Sequence, residues 1–449
     1  MTDDNNQIGL SRRKMLGGLG AIGLASAGAG LGTTAYFNDE ENFVGNTLTA
    51  GELDLFVHVD YSEDQGDYAQ YQTPPGTFVD GNVVGGGEGE PLSIEVDDLK
   101  PGDSGFGKLC FSIVDNPAYM WMCGELTAND ENGQTEPEAA VDATGGDPGE
   151  GAGELADAMV AGLAYCYEED VDGETDLVVS DDIVSGSLRD VLLALRNGVP
   201  LDGSGDPDAG IERDPFEGVD QPFVDDDINA AETCLCIHWE VPTEVGNEIQ
   251  TDSVAFDLSF YAEQARHNDG LTNPCVTSRE GESFAKGEAE LAEPSWHARG
   301  IYGDGGGAAN RELDIRLPDD TPVHSGTENY AWPNGQAVPF SLTIDGGDAK
   351  WNVDGSEVTV ANAPIPVANG IGVTAKSRTA DASIAVEDVR VNGSVPSGPD
   401  SVTAAGSSET NYIMLEGATL QEGDVVSGMV TMAWTSTPAR EGLGFRIDV

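Results

Sequence analysis

Through "TAGELDLFVHVDY", residues 49 to 61, Leu53, Leu55, Val57 and Val59 alternate with more polar residues. That period of two is the mark of a strand with one buried face, and it puts His58 on the polar side. Strand-like runs recur at "PLSIEVDDL", "GKLCFSIV", "AYMWMCGEL", "TCLCIHWEVP" and "SVAFDLSFYAEQ", the spacing of a β-sandwich. Between Ala128 and Glu232 the chain turns acidic and Gly/Pro-rich for too long to be a plain loop. This stretch reads as an insert, and it holds one clear helix, "SLRDVLLALRNG". Leu188, Val191, Leu192 and Leu195 share a face, Ser187 is the N-cap with Asp190 at the reciprocal position, and Gly198 suits the C-terminal cap.

From about Gln336 a second series of strands begins: "AVPFSLTID", "SEVTVAN", "GIGVTAKS", "ASIAVEDVRVNG", "NYIMLEG", "DVVSGMVTMAWTS" and "LGFRIDV", separated by Gly, Asp, Asn and Pro turns. The expected fold class is therefore all-β: an N-terminal jelly-roll sandwich with an acidic, partly helical insert, then a second C-terminal β-sandwich. The expected limits are 1–35 for an export signal, 36–275 for the first sandwich with its insert at 128–232, 276–330 for a linker or domain start, and 331–449 for the second sandwich.

Charge narrows the class of partner. The chain has 81 Asp+Glu against 20 Lys+Arg, a formal net charge of -61. Nucleic-acid binding needs phosphates neutralised by Lys and Arg, so that partner is excluded. A hydrophobic content of 39% argues for a folded chain rather than a disordered acidic one. In molar salt the Debye length is about 3 Å, and a folded surface tolerates such charge. The composition is that of a protein from a halophile.

The N-terminus carries an address. Arg12 and Arg13 open a twin-arginine pattern ahead of a mildly apolar, glycine-rich run to Ala35. Cleavage after Ala35 would start the mature chain at Tyr36, with Ala27-Gly28-Ala29 as a competing cut. Gly18-x-Gly20-x-x-Gly23 lies inside this signal and lacks the βαβ context of a dinucleotide site. Export permits disulfides, and Cys110, Cys123, Cys166, Cys234, Cys236 and Cys275 are the candidates, with connectivity open. Cys234 and Cys236 are expected on opposite strand faces with different partners.

Three ordered motifs then carry a resemblance. "AYFND" followed by "NTLTAGELDL", the turn "DLKPGDSG", and "VPTEVGNEIQTDSVAFDLSFYAEQARHND" strongly resemble the camelysin/TasA family of exported proteins with SipW-dependent-type signals, in its halophilic archaeal branch. The likeness covers roughly residues 1 to 275, and the twin-arginine motif departs from the bacterial members' signals. The cysteine-free remainder resembles, more loosely, the choice-of-anchor β-sandwich domains. The family likeness implies a jelly roll and, for TasA-like members, extracellular matrix or biofilm fibres joined by donor-strand exchange. Tyr36, Phe37, Phe43 and Val44 would be the donor residues, other copies of the chain or matrix proteins the partners, and a signal peptidase the partner during export.

Catalytic chemistry finds little support. Some camelysin-like members are described as metalloproteases, yet no H-E-x-x-H is present and His58, His238, His267, His297 and His324 are isolated. Ser104 sits in a Gly-Asp-Ser-Gly string without evident His and Asp partners. No enzyme and no cofactor are expected, save calcium: Asp170, Asp172 and Asp176 surround Gly173 in an oxygen-rich loop, and "LDGSGDPD" offers Asp202, Asp206 and Asp208. Asn392 heads an N-glycosylation sequon. The expected function is a secreted filament or matrix subunit. A surface module binding glycan or a protein through the C-terminal sandwich, with Trp332, Trp351 and Trp434 as a stacking platform, is the alternative, and a secreted metallopeptidase the third.

Overall fold

A computed structural model describes residues 53–449 apart from 67–69, 84–88, 90, 98, 134, 142–152, 172–173, 221–232, 282–294, 304–311, 318–320, 322–327, 367–369 and 439–440. The export and donor-strand candidates Arg12, Arg13, Ala35, Tyr36, Phe37, Phe43 and Val44 lie outside the described residues, as do Asp172 and His324. Among the described residues no helix is long and apolar enough to cross a membrane.

The fold is all-β and sandwich-like. In the first sheet the strands run Gln70–Gln72, Asp54–Asp64, Ser104–Val114, Cys234–Glu240, Val160–Val171 and Glu174–Ser187, with Phe78–Asp80 also paired to Asp54–Asp64. The second sheet runs Val199–Leu201, Ala118–Asp130, Ser253–Gln264 and Asn82–Val83, with Leu92–Asp97 beside Ser253–Gln264. Alternation decides what lies between them. Leu55, Val57 and Val59 point inward, as their spacing predicts, and share one core with Met120, Met122, Phe256 and Phe260. The Phe111 and Phe260 rings meet across the two layers at 5.4 Å.

The stretch from Ala128 to Glu232 is more than an insert, because its hairpin Val160–Val171/Glu174–Ser187 extends the first sheet from Cys234–Glu240. Among the described residues Glu174–Ser187 is the edge of the sheet, and its polar sequence fits that place. The helix Leu188–Arg196 forms where expected. Ser187 Oγ accepts the Asp190 N–H at 3.1 Å, and the Asp190 carboxylate accepts the Ser187 N–H at 3.2 Å. The expected apolar face, Leu188, Val191, Leu192 and Leu195, is buried. The helix can lie flat on the second sheet because residue 124 is glycine: a Cβ there would stand 2.8 Å from Leu195.

Among the described residues the C-terminal half forms one twelve-stranded sheet. Its main path is Glu328–Asn329, Glu312–Arg316, His297–Tyr302, Leu443–Asp448, Gly370–Val391, Val425–Trp434, Ala337–Asp345, Asp348–Val353 and Ser356–Val360. The first and last of these strands approach each other, so the sheet is a nearly closed barrel. Two runs that read as separate strands, "GIGVTAKS" and "ASIAVEDVRVNG", are one strand of 22 residues. Register shifts between Ser377 and Ser383 bend it. On one edge it pairs first with Leu443–Asp448 and then with Val425–Trp434. Trp351, Phe340 and Phe445 fill the interior with centroids 5.4–5.8 Å apart. Trp332 and Trp351 therefore belong to the core and offer no stacking platform, while Trp434, half-buried, lies against Tyr302 at 4.4 Å.

All six cysteines are paired, in keeping with an oxidising compartment. Cys234 and Cys236 do have different partners, but the expectation of opposite faces was wrong, since positions i and i+2 of a strand share a face. Both turn away from the core with Cys110 and Cys166, while Leu235 and Ile237 enter it. Cys110 stands directly across from Cys234 at a Cα separation of 4.4 Å, the close spacing of a non-hydrogen-bonded pair. Cys236 reaches diagonally to Cys166, 5.8 Å away.

The third disulfide, Cys123–Cys275, ties the sandwich to Thr272–Gly281, a strand that pairs within the barrel sheet. A buried amide reinforces that junction. Asn197 donates to the Thr419 carbonyl and to Asp424, and accepts the Thr419 N–H at 2.8 Å. Asn197→Ala should lower stability by about 1–3 kcal/mol, because it strands buried polar groups on both sides. Thermal unfolding in molar NaCl checks this, and an unchanged midpoint would mean that the amide does not hold the junction.

Candidate anion-binding pocket

Where the barrel wall is made of Glu312–Arg316, His297–Tyr302, Leu443–Asp448 and Gly370–Val391, alternate residues point outward. Ala298, Ile315, Val373, Phe445 and Ile447 fill the core, leaving Asp314, Arg299, Arg446 and Thr374 on the outer surface. Register aligns these four in one row: Asp314 opposite Arg299, Arg299 opposite Arg446, Arg446 opposite Thr374. The row beside it holds Arg316, His297 and Asp448. On the other side Lys376 faces Gly444, which has no side chain to fill the space. The result is a hollow of about 330 Å³ lined by His297, Arg299, Thr374, Lys376, Arg378 and Arg446.

Four of the chain's 20 basic residues thus converge on one hollow, in a protein of net charge -61. Two buried carboxylates hold the guanidinium groups in place. Asp314 accepts from Arg299 at 2.5 and 3.2 Å and from Arg316 at 2.6 Å, and Asp448 accepts from Arg446 at 2.9 Å. The pairing is incomplete. Arg446 Nη2 and Thr374 Oγ1 are buried without a hydrogen-bond partner. Such atoms cost about 1–3 kcal/mol each when left unmade.

Burial, and then the positive charges of Arg446, Arg299 and Arg316, lower the His297 pKa to about 3. The imidazole is therefore neutral at any ordinary pH, and the side chains that carry charge in the hollow are mostly cationic. The arrangement offers hydrogen-bond donors and positive potential. Such an arrangement suits an anion with oxygen acceptors, such as a carboxylate or sulfate.

The other predicted sites come out as follows. Ser104 opens its strand after a Lys100–Asp103 turn in which the Lys100 N–H donates to Asp103 at 2.8 Å, and it pairs with Glu240 and Asp64. The positive φ of +99° at Gly102 is the reason that turn needs glycine. His58 lies on the outward face, as its place in the alternation predicts, yet it is buried and bonded to Ser112 at 2.8 Å. His238 is half-buried, and His267 sits in an exposed turn.

Asp170 and Asp176 lie on opposite arms of a hairpin and pair with Thr175 and Glu169. Asp202 is a backbone hub. Its two oxygens accept N–H groups of Ser204, Asp206 and Asp214. Burial opposes its charge, but these bonds and the Ser204 hydroxyl hold its carboxyl below the usual range. Asn392 is exposed in a tight turn, its amide tied to Asp424 and to the Val425 N–H, each at 2.8 Å.

Sequence reasoning missed the basic hollow. "HARGIY", with a central glycine and two polar residues, shows no clean alternation, and its partners lie from about 15 positions away (Asp314) to about 150 (Arg446). The usable signal was the scarcity of Arg, which makes each one informative. No protein-family model matches the chain, and no curated protein matches it either.

Two outcomes follow from this geometry. Thr374→Val removes an unpartnered buried hydroxyl at constant volume and should leave stability unchanged or raise it by about 1 kcal/mol. A loss of 2 kcal/mol or more in thermal unfolding would show that the hydroxyl is satisfied. For His297, an unfolded imidazole takes up a proton below about pH 6.5 while the folded one resists until about 3. Stability should therefore fall as pH drops through that window, and His297→Gln should lose less between pH 7 and 4.5 than the parent. Equal losses would contradict a buried neutral imidazole.

Proposed function

We propose that this chain is an exported surface protein, without catalytic activity, whose barrel holds an anionic polysaccharide bearing carboxylate or sulfate groups. The observation that carries this reading is the pair of unpartnered buried groups, Arg446 Nη2 and Thr374 Oγ1, inside a hollow lined by four cations. An anion oxygen supplies the partner that both lack. The acidic surface elsewhere does not prevent this, because molar salt confines its repulsion to a few ångströms. Export is supported by the twin-arginine pattern and by three disulfides.

Affinity electrophoresis in 2 M NaCl, comparing a sulfated or carboxylated polysaccharide with its neutral parent, tests the reading. The expected result is retardation by the charged polymer alone, weakened about tenfold or more in Thr374→Val and Arg378→Ala, at a cost of 1.5–3 kcal/mol per charged hydrogen bond. Equal migration with both polymers would sink it.

A second reading, the filament subunit of the camelysin/TasA resemblance, is favoured by the edge strand Glu174–Ser187. Among the described residues it is the sheet's last strand, with Leu177 and Val179 exposed on one face, which is the form of a strand acceptor. Electron microscopy of the chain from Tyr36 beside one from Asn46 separates the two. Filaments from the longer chain alone would support strand exchange, and single particles from both would remove it.

A further inference from the structure

A second cluster lies in the sandwich, at the end of the second sheet. Here Ala118–Asp130 leaves the sheet and Ser253–Gln264 enters it, and a one-turn helix, Leu155–Ala158, is laid across the gap. Three carboxylates from these three segments converge: Glu131, Glu154 and Asp252 each bring an oxygen to within 4.8 Å of the others. Glu131 and Asp252 are each only 4% exposed.

Hydrogen bonds from the surroundings hold the cluster in place. Asp252 Oδ2 accepts the Glu154 and Leu155 N–H groups at 2.7 and 2.9 Å. Glu131 Oε1 is approached by the Gly133 N–H at 3.3 Å and the Thr251 hydroxyl at 3.4 Å. Asn129 binds the same helix start, accepting the Ala156 N–H at 3.2 Å. Asp252 Oδ1, in contrast, is buried and has no hydrogen-bond partner at all. Burial first, then the nearby charges of Glu131 and Glu154, push the Asp252 pKa up to about 7 against its two backbone bonds.

We propose that Glu131, Glu154 and Asp252 form a calcium site that pins the Leu155–Ala158 turn to the end of the second sheet. An all-oxygen, carboxylate-rich donor set suits a hard divalent cation. Oxygens lying within 4.8 Å of one another fit a single Ca²⁺ shell, where ligands at 2.3–2.6 Å stand up to about 5 Å apart across the ion. The ion would give Asp252 Oδ1 the partner it lacks and remove the repulsion among three close carboxylates, two of them buried. The sequence could not point here, because the three residues are spread over more than 120 positions and none lies in an Asp-rich loop repeat.

The test is calorimetric titration of CaCl2 into the chelator-treated mature protein in molar NaCl, with thermal unfolding beside it. One tight equivalent and a rise of several degrees in Tm are expected, with both lost in Asp252→Asn and weakened at least tenfold in Glu131→Gln. Asp252→Asn keeps an oxygen for the two helix N–H groups, so it is expected to fold, and more stably than the parent when calcium is absent. No saturable binding by the parent, an undiminished response in both variants, or an equal response to MgCl2 would overturn the proposal. Should neither variant fold, anomalous scattering from a Tb³⁺-soaked crystal decides it: a peak at the three carboxylates supports the site, and none there rejects it.

Discussion

The constraint on which this structure turns is charge: 81 acidic side chains must be accommodated with only 20 basic ones to answer them. Ion pairing cannot do it alone: Asp314 and Asp448 take arginines, but other carboxylates are matched to backbone N–H groups and neutral amides. Asp202 serves three N–H groups, Asp190 closes a helix cap, Asp103 closes a turn, and Asp424 takes Asn197, Asn392 and the Gln421 N–H. Each uses a carboxylate acceptor without calling on a cation. With Lys and Arg so scarce, the places where they gather stand out. The barrel wall around Arg299 and Arg446 is one such place, and its two aspartates leave it with a positive surplus.

The same scarcity shapes how the two halves are joined. A charged interface would be repulsive at low salt and screened at high salt, whereas a disulfide and a buried amide are indifferent to both. Cys123–Cys275 and the Asn197–Thr419–Asp424 network are of that kind. Arg213 adds a third contact near the junction. It is stacked over Trp121 at 4.5 Å and donates to the Gly270 carbonyl at 2.9 Å, so it uses an aromatic face and a carbonyl where another protein would use an acid. Burial first, against nearby carboxylates and tyrosines, lowers its pKa to about 10, and it remains charged. The candidate sites fall on both halves: a cationic hollow on the barrel, and a carboxylate cluster and an edge strand on the sandwich.

Much of this could be read directly from residue order. Alternation of apolar side chains marked Asp54–Asp64, Ser253–Gln264 and Ala337–Asp345, because a half-buried strand writes its two faces into neighbouring positions. The capped helix at Leu188–Arg196 was equally legible, since cap, apolar stripe and stop are all local. Strands that break that local rule were not. Glu174–Ser187 is a polar edge, "HARGIY" is short and carries a glycine, and the bend in Gly370–Val391 made one strand read as two. Cys234 and Cys236 were expected on opposite faces, where the period of two puts them on the same one.

The sequence by itself therefore determined the class of fold, the expectation of disulfides and the position of one helix. These follow from composition and from interactions within a few residues. Tertiary structure alone decided the disulfide partners, the merging of the expected second sandwich into a nearly closed barrel, and both clusters of charge. Arg299 meets Arg446 and Thr374 because strands far apart in the chain happen to pair in that register. Glu131, Glu154 and Asp252 meet because two strand ends and a helical turn share one corner of the sandwich. Such proximity is a property of how strands are ordered in a sheet, and no local pattern in the chain records it.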